Sequence, residues 1–167
     1  MKADVLKNMN LFVDGRGQAG KIDELTPPKL ALKMDDYRAG GMDAPVKLEM
    51  GMEGLKAEMT LSSYDPELWK LFGLVEGAVV PLTARGAIEK PDGTVEAVVI
   101  NLRGQVSEID DGTWKPGDKG TVKLGVECRY YKRTQADVEL VEIDVENMIR
   151  KTGGVDQLAA QRTALGL

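Results

Sequence analysis

Histidine is absent from the 167 residues, and cysteine occurs once. Without histidine there is no His-based triad and no His–metal site, and the commonest general base is missing. The lone cysteine, Cys128, excludes an internal disulfide. It lies in an apolar alternation and reads as a small core residue rather than a nucleophile. Aromatic side chains make up only 5% of the chain. A core must therefore lean on Val, Leu, Ile and Met. Excess positive charge is also lacking: the formal net charge is −5, which argues against a general nucleic-acid binder with its basic patch. No apolar run approaches the length of a membrane span, and Met1-Lys2-Ala3-Asp4 leads into no apolar signal segment. The chain is expected neither to cross a membrane nor to be exported through a signal peptide. Gly15-Arg16-Gly17 and Gly51-Met52-Glu53-Gly54 match neither the Walker-type nor the dinucleotide-binding glycine pattern. The carboxylate groups Asp35-Asp36, Glu108/Asp110/Asp111 and Glu142/Asp144/Glu146 lack the ligand spacing of a calcium loop. These absences point to a structural or binding role with no catalytic residue, no metal and no cofactor.

What is present is organised around Pro28 to Gly51. Leu30, Leu32 and Met34 alternate with Lys29, Ala31, Lys33 and Asp35. Val46, Leu48, Met50 and Met52 alternate with Lys47 and Glu49. Period-two alternation predicts two strands, each with one apolar face. Antiparallel pairing of Met34 with Leu48 and Leu32 with Met50 puts Lys33 opposite Glu49 and Asp35 opposite Lys47, so both faces agree. The tip, Tyr37 to Pro45, is too long for a tight hairpin and contains Gly40-Gly41. A two-stranded ribbon cannot bury its apolar face against itself, so this arm needs its own body or a neighbouring chain. Five of the eight methionines, Met34, Met42, Met50, Met52 and Met59, fall in or beside it. Methionine adapts to irregular apolar surfaces, which favours packing between chains there over a Met-filled core.

The remainder reads as one domain, 1–167, with the arm at 28–51. Residues 1–9 read as a polar arm. Short strands are predicted at 10–14 and 21–25, turned by Gly15-Arg16-Gly17. Leu55 to Leu61 alternates as a half-buried strand. Asp65-Pro66-Glu67 supplies an N-cap, an N1 proline and an acid at the positive end of a short helix. Its stripe is Leu68, Leu71 and Phe72, and Gly73 ends it. Long strands follow at 79–88, 94–109 and 121–133, with Gly104 marking a bulge or a close backbone approach. The strand at 121–133 turns Val122, Leu124, Val126, Cys128 and Tyr130 inward, and Tyr131 outward. Trp114 and the Tyr130-Tyr131 pair read as core or interface residues. A last strand covers 138–143, a connection runs from 144 to Gly153-Gly154, and Asp156 opens a C-terminal helix over 155–167. The fold class is mainly β: an antiparallel sandwich or partly open barrel with one short helix, a C-terminal helix and a projecting arm.

Several of these stretches together resemble the major tail tube proteins of contractile-tailed bacteriophages and the related R-type pyocins. They are Asn10-Leu11-Phe12 with Asp14-Gly15, Pro28-Lys29-Leu30, and Tyr37-Arg38-Ala39-Gly40-Gly41-Met42-Asp43-Ala44-Pro45. Further on come Leu102-Arg103-Gly104, Tyr130-Tyr131, Glu142-Ile143-Asp144 with Asn147, and Gly154-Val155-Asp156-Gln157-Leu158 with Arg162 and Leu165-Gly166-Leu167. The arm tip and the C-terminal run are the specific ones. Gly153 stands where the family pattern has Asn, and both residues tolerate a left-handed backbone.

The resemblance implies a structural subunit of a hollow inner tube. Six copies would form a ring, rings would stack inside a contractile sheath, and the fold would resemble that of type VI secretion tubes. Strands of neighbouring subunits would join around a lumen that conducts DNA or effectors during genome ejection. Implied partners are further copies of the chain, the sheath protein, and baseplate initiator and tail terminator proteins. Tape-measure protein or DNA would occupy the lumen without specific binding, and no membrane is involved. The implied location is the virion tail, assembled in the bacterial host cytoplasm. Tyr37, Arg38, Gly40, Gly41, Met42, Asp43 and Pro45 are then the expected contacts between subunits. Asp35, Glu49, Glu58, Lys33, Lys47 and Lys56, on the polar faces of the arm and of 55–61, are the lumen candidates. Six chains at −5 each carry about −30, and a wall of that sign does not trap phosphates. The alternatives are a tube subunit of a type VI-like secretion system and a monomeric small-ligand-binding barrel. The second needs an aromatic-lined interior, for which eight aromatic residues are few.

Overall fold

A computed structural model describes residues 3–75 and 77–167. In chain order the elements are β1 (Val5–Val13), β2 (Arg16–Gly17), β3 (Ile22–Thr26), β4 (Leu32–Tyr37), β5 (Val46–Met52), β6 (Leu55–Leu61), α1 (Pro66–Trp69), β7 (Val80–Glu89), β8 (Val95–Asp110), β9 (Val122–Gln135), β10 (Val138–Asp144), β11 (Ile149–Thr152), β12 (Val155–Asp156) and α2 (Ala159–Ala164). The expected mainly β, antiparallel architecture is what the chain adopts. One sheet runs β12-β11-β10-β9-β8-β7-β1-β2, with β6 on β9 and β3 on β6. The arm, β4-β5, is a separate two-stranded sheet.

β9 organises the body because it has a different neighbour on each half. β6 lies along 122–128 and β10 along 130–135, while β8 follows the strand nearly throughout. The sheet divides at this point into two layers that share one core. One layer buries Leu55, Ala57, Met59 and Leu61 against Cys128, Val126, Leu124 and Val122. The other carries a single apolar row across five strands: Val13, Leu82, Leu102, Tyr131 and Ile143 are successive cross-strand partners. All five are buried.

The register between β8 and β9 slips where Arg103 pairs with Tyr130 but Gly104 pairs with Cys128. This bulge corrects the sequence reading of the two tyrosines. Strict alternation sends Tyr130 inward and Tyr131 outward. The extra residue, Arg129, inverts the parity, so Tyr131 is 2% exposed and Tyr130 lies on the polar side under the Arg103 guanidinium, 3.9 Å from its ring centre. Gly104 is needed at this point. A Cβ there would lie 2.9 Å from the Cα of Cys128 and closer still to the Glu127 carbonyl oxygen, as expected for a close approach.

Other boundaries also shift. Residues 5–9, read as part of a polar arm, begin β1: they pair with β7 as far as Val5 opposite Glu89, and backbone pairing holds them although Val5 and Leu6 stay exposed. Met1 and Lys2 lie outside the described residues. The turn after β1 is Asp14-Gly15, both at positive φ, so Arg16 and Gly17 pair back onto Val13 and Phe12. That geometry suits a two-residue hairpin. Asp65 caps α1 as the sequence indicates, accepting from the Glu67 N–H at 3.0 Å, and Arg16 pairs with it at 3.2 Å. The helix is shorter than its stripe suggests: Leu68 is buried, but Phe72 lies beyond the helix end and is half exposed. Trp114 is not a core residue. It is 74% exposed and meets Tyr64 edge-on.

The connection read at 144–154 holds β11, and β12 takes the first residues read as helix. Gly153 and Gly154 have φ of 60° and 85° and close the β11–β12 hairpin between Thr152 and Val155. The signal was in the sequence, because adjacent glycines of this kind favour the tight two-residue turn. The C-terminal helix consequently starts at Ala159 and ends at Ala164. Asp156 sits in β12, where it accepts from the Leu158 and Arg150 N–H groups.

Candidate assembly surface

The arm leaves the body at Pro28, which is buried, and returns through Glu53-Gly54. Its base is closed by the Glu53 N–H donating to the Ala31 carbonyl at 2.8 Å. Between these points only its foot reaches the body, where Met52 packs on the core and Glu49 meets Arg150. Leu32, Met34, Tyr37, Val46, Leu48 and Met50 are all between 41% and 58% exposed. For a ribbon of two strands this is a large unburied apolar surface.

The register of the arm differs from the one expected. Met34 pairs with Glu49, Asp35 with Leu48, Asp36 with Lys47 and Tyr37 with Val46. An irregularity then separates this run from the Leu32–Met52 pair. The Asp36–Lys47 ion pair at 2.8 Å belongs to this register, replacing the expected Asp35–Lys47 and Lys33–Glu49 pairs. Register is pinned where one face is buried, and a ribbon exposed on both sides lacks that constraint. Apolar groups consequently appear on both faces: Tyr37, Val46 and Leu48 share one, and Met34 sits with Glu49 on the other.

At the tip, Tyr37 projects with half its surface exposed. Arg38 and Met42 are tied into the tip: the Arg38 Nε donates to the Met42 carbonyl at 3.1 Å, and the Met42 N–H donates to the Ala39 carbonyl at 3.2 Å. Gly41 has φ of 87°, and a Cβ at Gly40 or Gly41 would meet nothing. The glycine at 41 therefore answers a backbone need, not crowding. Asp43 and Pro45 are exposed. The seven tip residues are thus brought together as one small, internally bonded turn.

The six charged candidates separate. Lys33, Asp35, Lys47 and Glu49 are on the arm, where Lys47 is held by Asp36 and Glu49 by Arg150 of β11. Lys56 and Glu58 are on β6, outside the core, with Lys56 reaching both Glu58 and Glu108. Cross-strand pairing assembles a wider surface around these two. Glu24 and Thr26 of β3, Glu108 and Asp110 of β8, and Lys123 and Glu127 of β9 share their side of the sheet. Five carboxylates stand there against two lysines, all exposed. Alternation within β3 and β8 marks Glu24, Glu108 and Asp110 as outward. Their convergence with Glu58 depends on strand order, which sequence periodicity does not contain.

At the foot of the arm a groove of about 640 Å³ separates β5 from β10, β11 and α2. Met50, Met52, Leu55, Cys128, Ile143 and Met148 supply much of its wall. Burial pushes the Cys128 thiol up to about 11, so it is protonated near neutrality and packs as a small apolar group. Inside the body, Leu11, Leu61, Leu82 and Leu102 fill the space that a ligand-binding barrel would keep open. Among the described residues no three His, Cys, Asp or Glu side chains are grouped as a metal site. Nor, among those residues, is any helix long and apolar enough to cross a membrane.

The family model of phage tail tube protein FII matches residues 3–166. The tail tube protein of Escherichia phage P2 is 38% identical over 166 residues, covering 97% of this chain and 96% of that protein. The major tail tube protein of Serratia phage KSP20 is 34% identical over 151 residues, covering 89% and 87%. Two solved structures share the fold at low identity. A chain from the sheath–tube complex of PVC, an extracellular contractile injection system, matches with a TM-score of 0.59 at 10% identity, over 76% of this chain and 88% of that one. A chain from the PVC sheath/tube terminator structure matches with a TM-score of 0.62 at 9% identity, over 78% and 95%. The sequence match runs through the arm, both layers of the body and the C-terminal helix, and on it the chain belongs to the phage tail tube protein FII family.

Proposed function

We propose that this tail tube protein is the repeating subunit of a contractile tail's inner tube, that six copies close a ring, and that the arm joins each copy to its neighbours. Membership of the family makes it a structural component of a phage tail, not an enzyme. The observation that carries the assembly reading is the arm. It is a separate two-stranded sheet with apolar side chains on both faces, and beyond its foot Leu32, Met34, Tyr37, Val46, Leu48 and Met50 stay exposed among the described residues. Unpaired strand edges and exposed apolar faces are a hazard in a monomer. A head-to-tail contact between copies removes both and propagates as a filament. The acidic side of β3, β6, β9 and β8 is the candidate lumen wall, since an excess of carboxylates lets a polyanion slide without adhering. Sheath and terminator proteins are the expected partners outside the tube and at its end, in keeping with the complexes in which the PVC neighbours occur.

The test is to replace Arg38 to Asp43 with a short Gly-Ser link. The variant is expected to keep its β-type circular dichroism and to melt within a few degrees of the parent. On gel filtration it runs as monomer where the parent gives tubes or rings by negative-stain microscopy. Unfolding would place the tip in the subunit's own core, and undiminished tubes would place the contact elsewhere.

A further inference from the structure

The apolar row that crosses the body ends in a charge. Val13, Leu82, Leu102, Tyr131 and Ile143 are succeeded on β11 by Arg150, the cross-strand partner of Ile143. Its side chain is only 15% exposed, and its guanidinium meets the Glu49 carboxylate of the arm at 2.5 Å. Among the described residues no other side chain of β4 or β5 makes a hydrogen bond or ion pair to the body. The backbone of Arg150 is held from both directions. Its N–H donates to Asp156 and its carbonyl accepts from the Gln157 N–H at 2.7 Å. Asp156 is in turn clamped by Arg162 of α2, whose other nitrogen donates to the Met148 carbonyl at 2.8 Å.

We propose that Arg150 sets the angle between arm and body, acting as a clamp on Glu49 while the β11–β12 hairpin and α2 hold it in place. The arm's root is mechanically uneven. Pro27-Pro28 stiffens one strand, whereas the other passes through Gly51, at φ of 102°, and Gly54. Such a root permits pivoting. Glu49 lies two residues up the strand from Gly51 and five from Gly54, about 7 and 16 Å from the two hinge glycines at the usual rise of a strand. A contact at that distance restrains the angle more than one at the root does. With the arm in place the guanidinium is mostly covered, so the pair is shielded from solvent while it holds. The clamped position keeps Leu48, Val46 and Tyr37 exposed, which makes the device a preorganiser of the docking face. This role in assembly rests on the reading of the arm as the inter-subunit contact, whereas the clamp itself does not.

The two can be separated experimentally. Spin labels at Asp43→Cys on the tip and Arg85→Cys in β7, in a Cys128→Ala background, report the arm–body distance in the unassembled subunit. The parent is expected to give one narrow distribution. Glu49→Gln and Arg150→Gln should each broaden it about twofold, with no further broadening in the double variant. Glu49 is on the exposed arm, so its variant tests the clamp without threatening the core. Unchanged distributions in both single variants would overturn the clamp. If both broaden, the concentration needed for tube formation should rise several-fold in Arg150→Gln. Tubes at the parental concentration despite a broadened arm would overturn the preorganising role and count against the arm as the contact, leaving the clamp in place.

Discussion

The Glu127 carbonyl occupies the space that a side chain at Gly104 would need. The two backbones approach because the bulge between β8 and β9 tightens the sheet there. Gly104→Ala must push two adjacent strands apart, and the obstruction is backbone, which cannot rotate away. Overpacking of this kind typically costs about 1–3 kcal/mol. In a domain of this size the melting temperature should fall by roughly 2–12 °C. A thermal circular dichroism scan within 2 °C of the parent would show that the strands yield.

The same bulge separates two neighbouring tyrosines. Tyr131 lies in the buried row between Leu102 and Ile143. Tyr130 lies outside, its hydroxyl donating to Glu142 at 2.6 Å and its pKa raised to about 12, first by partial burial and then by that carboxylate. Tyr131→Ala is expected to cost about 3–5 kcal/mol, as large aromatic deletions in cores do. Tyr130→Ala removes the Arg103 stacking and the hydrogen bond to Glu142 at the partly exposed surface and should cost about 1–2 kcal/mol. Urea titrations of both variants give the comparison, and a larger loss at Tyr130 would reverse the assignment.

These tyrosines show what the sequence could reveal. Alternation identified β6 as a half-buried strand and the inward face of the first half of β9, because period two maps directly onto sides of a sheet. Asp65-Pro66-Glu67 marked the helix start because capping is local chemistry. The bulge was not legible as an inversion, since one inserted residue at Arg129 leaves no local signature beyond Gly104 on the opposite strand. The arm register was missed for the converse reason: with no buried face, alternation had nothing to enforce. Of the candidate assembly residues, the tip was legible as a unit. The Arg150–Glu49 pair joins positions far apart in sequence through the sheet order, and no spacing rule reaches that far.

Asp156 links β12 to α2, and its carboxyl is held down to about 2 from the ordinary 3.8, chiefly by the Arg162 hydrogen bond. A carboxylate with a depressed folded-state pKa contributes stability that is fully present above the unfolded value and lost as pH falls through the folded value. The attachment of α2 should therefore be intact above about pH 4 and should weaken between pH 4 and 2. An NMR titration of the Asp156 side-chain carboxyl is expected to show a midpoint near the lower end. Arg162→Gln should move that midpoint back toward 3.8. A midpoint already at the ordinary value in the parent would contradict the pairing.

Gly153 and Gly154 form a tight turn at positive φ, and they should respond differently to the same chemistry. Asn adopts the left-handed region more readily than other non-glycine residues. Gly153→Asn should therefore change stability by no more than a few tenths of a kcal/mol, in either direction. Gly154→Val places a β-branched side chain at φ of 85° and should cost about 1–3 kcal/mol. Because this hairpin carries Arg150 and Asp156, the valine variant should also loosen the arm in the spin-label experiment. An equally stable valine variant would mean that the turn rearranges freely.

Leu48 is 46% exposed in the single subunit, opposite Asp35 on the arm. Leu48→Asp should therefore leave the subunit's melting temperature within a few degrees of the parent, since substitutions at such positions usually fall within about 0.5 kcal/mol. Assembly is affected in two ways. The lost leucine forfeits about 1.5–3 kcal/mol if the side chain becomes fully buried between copies. The new carboxylate must also be covered without a partner, which costs more than the lost apolar area. The penalty recurs at every copy along the tube, so the expected result is a folded monomer on gel filtration and an absence of tubes by microscopy. Leu48→Met preserves volume and apolarity and should restore tubes. If Leu48→Asp assembles as the parent does, this face of the arm stays in water in the tube, and the contact must use the face that carries Met34.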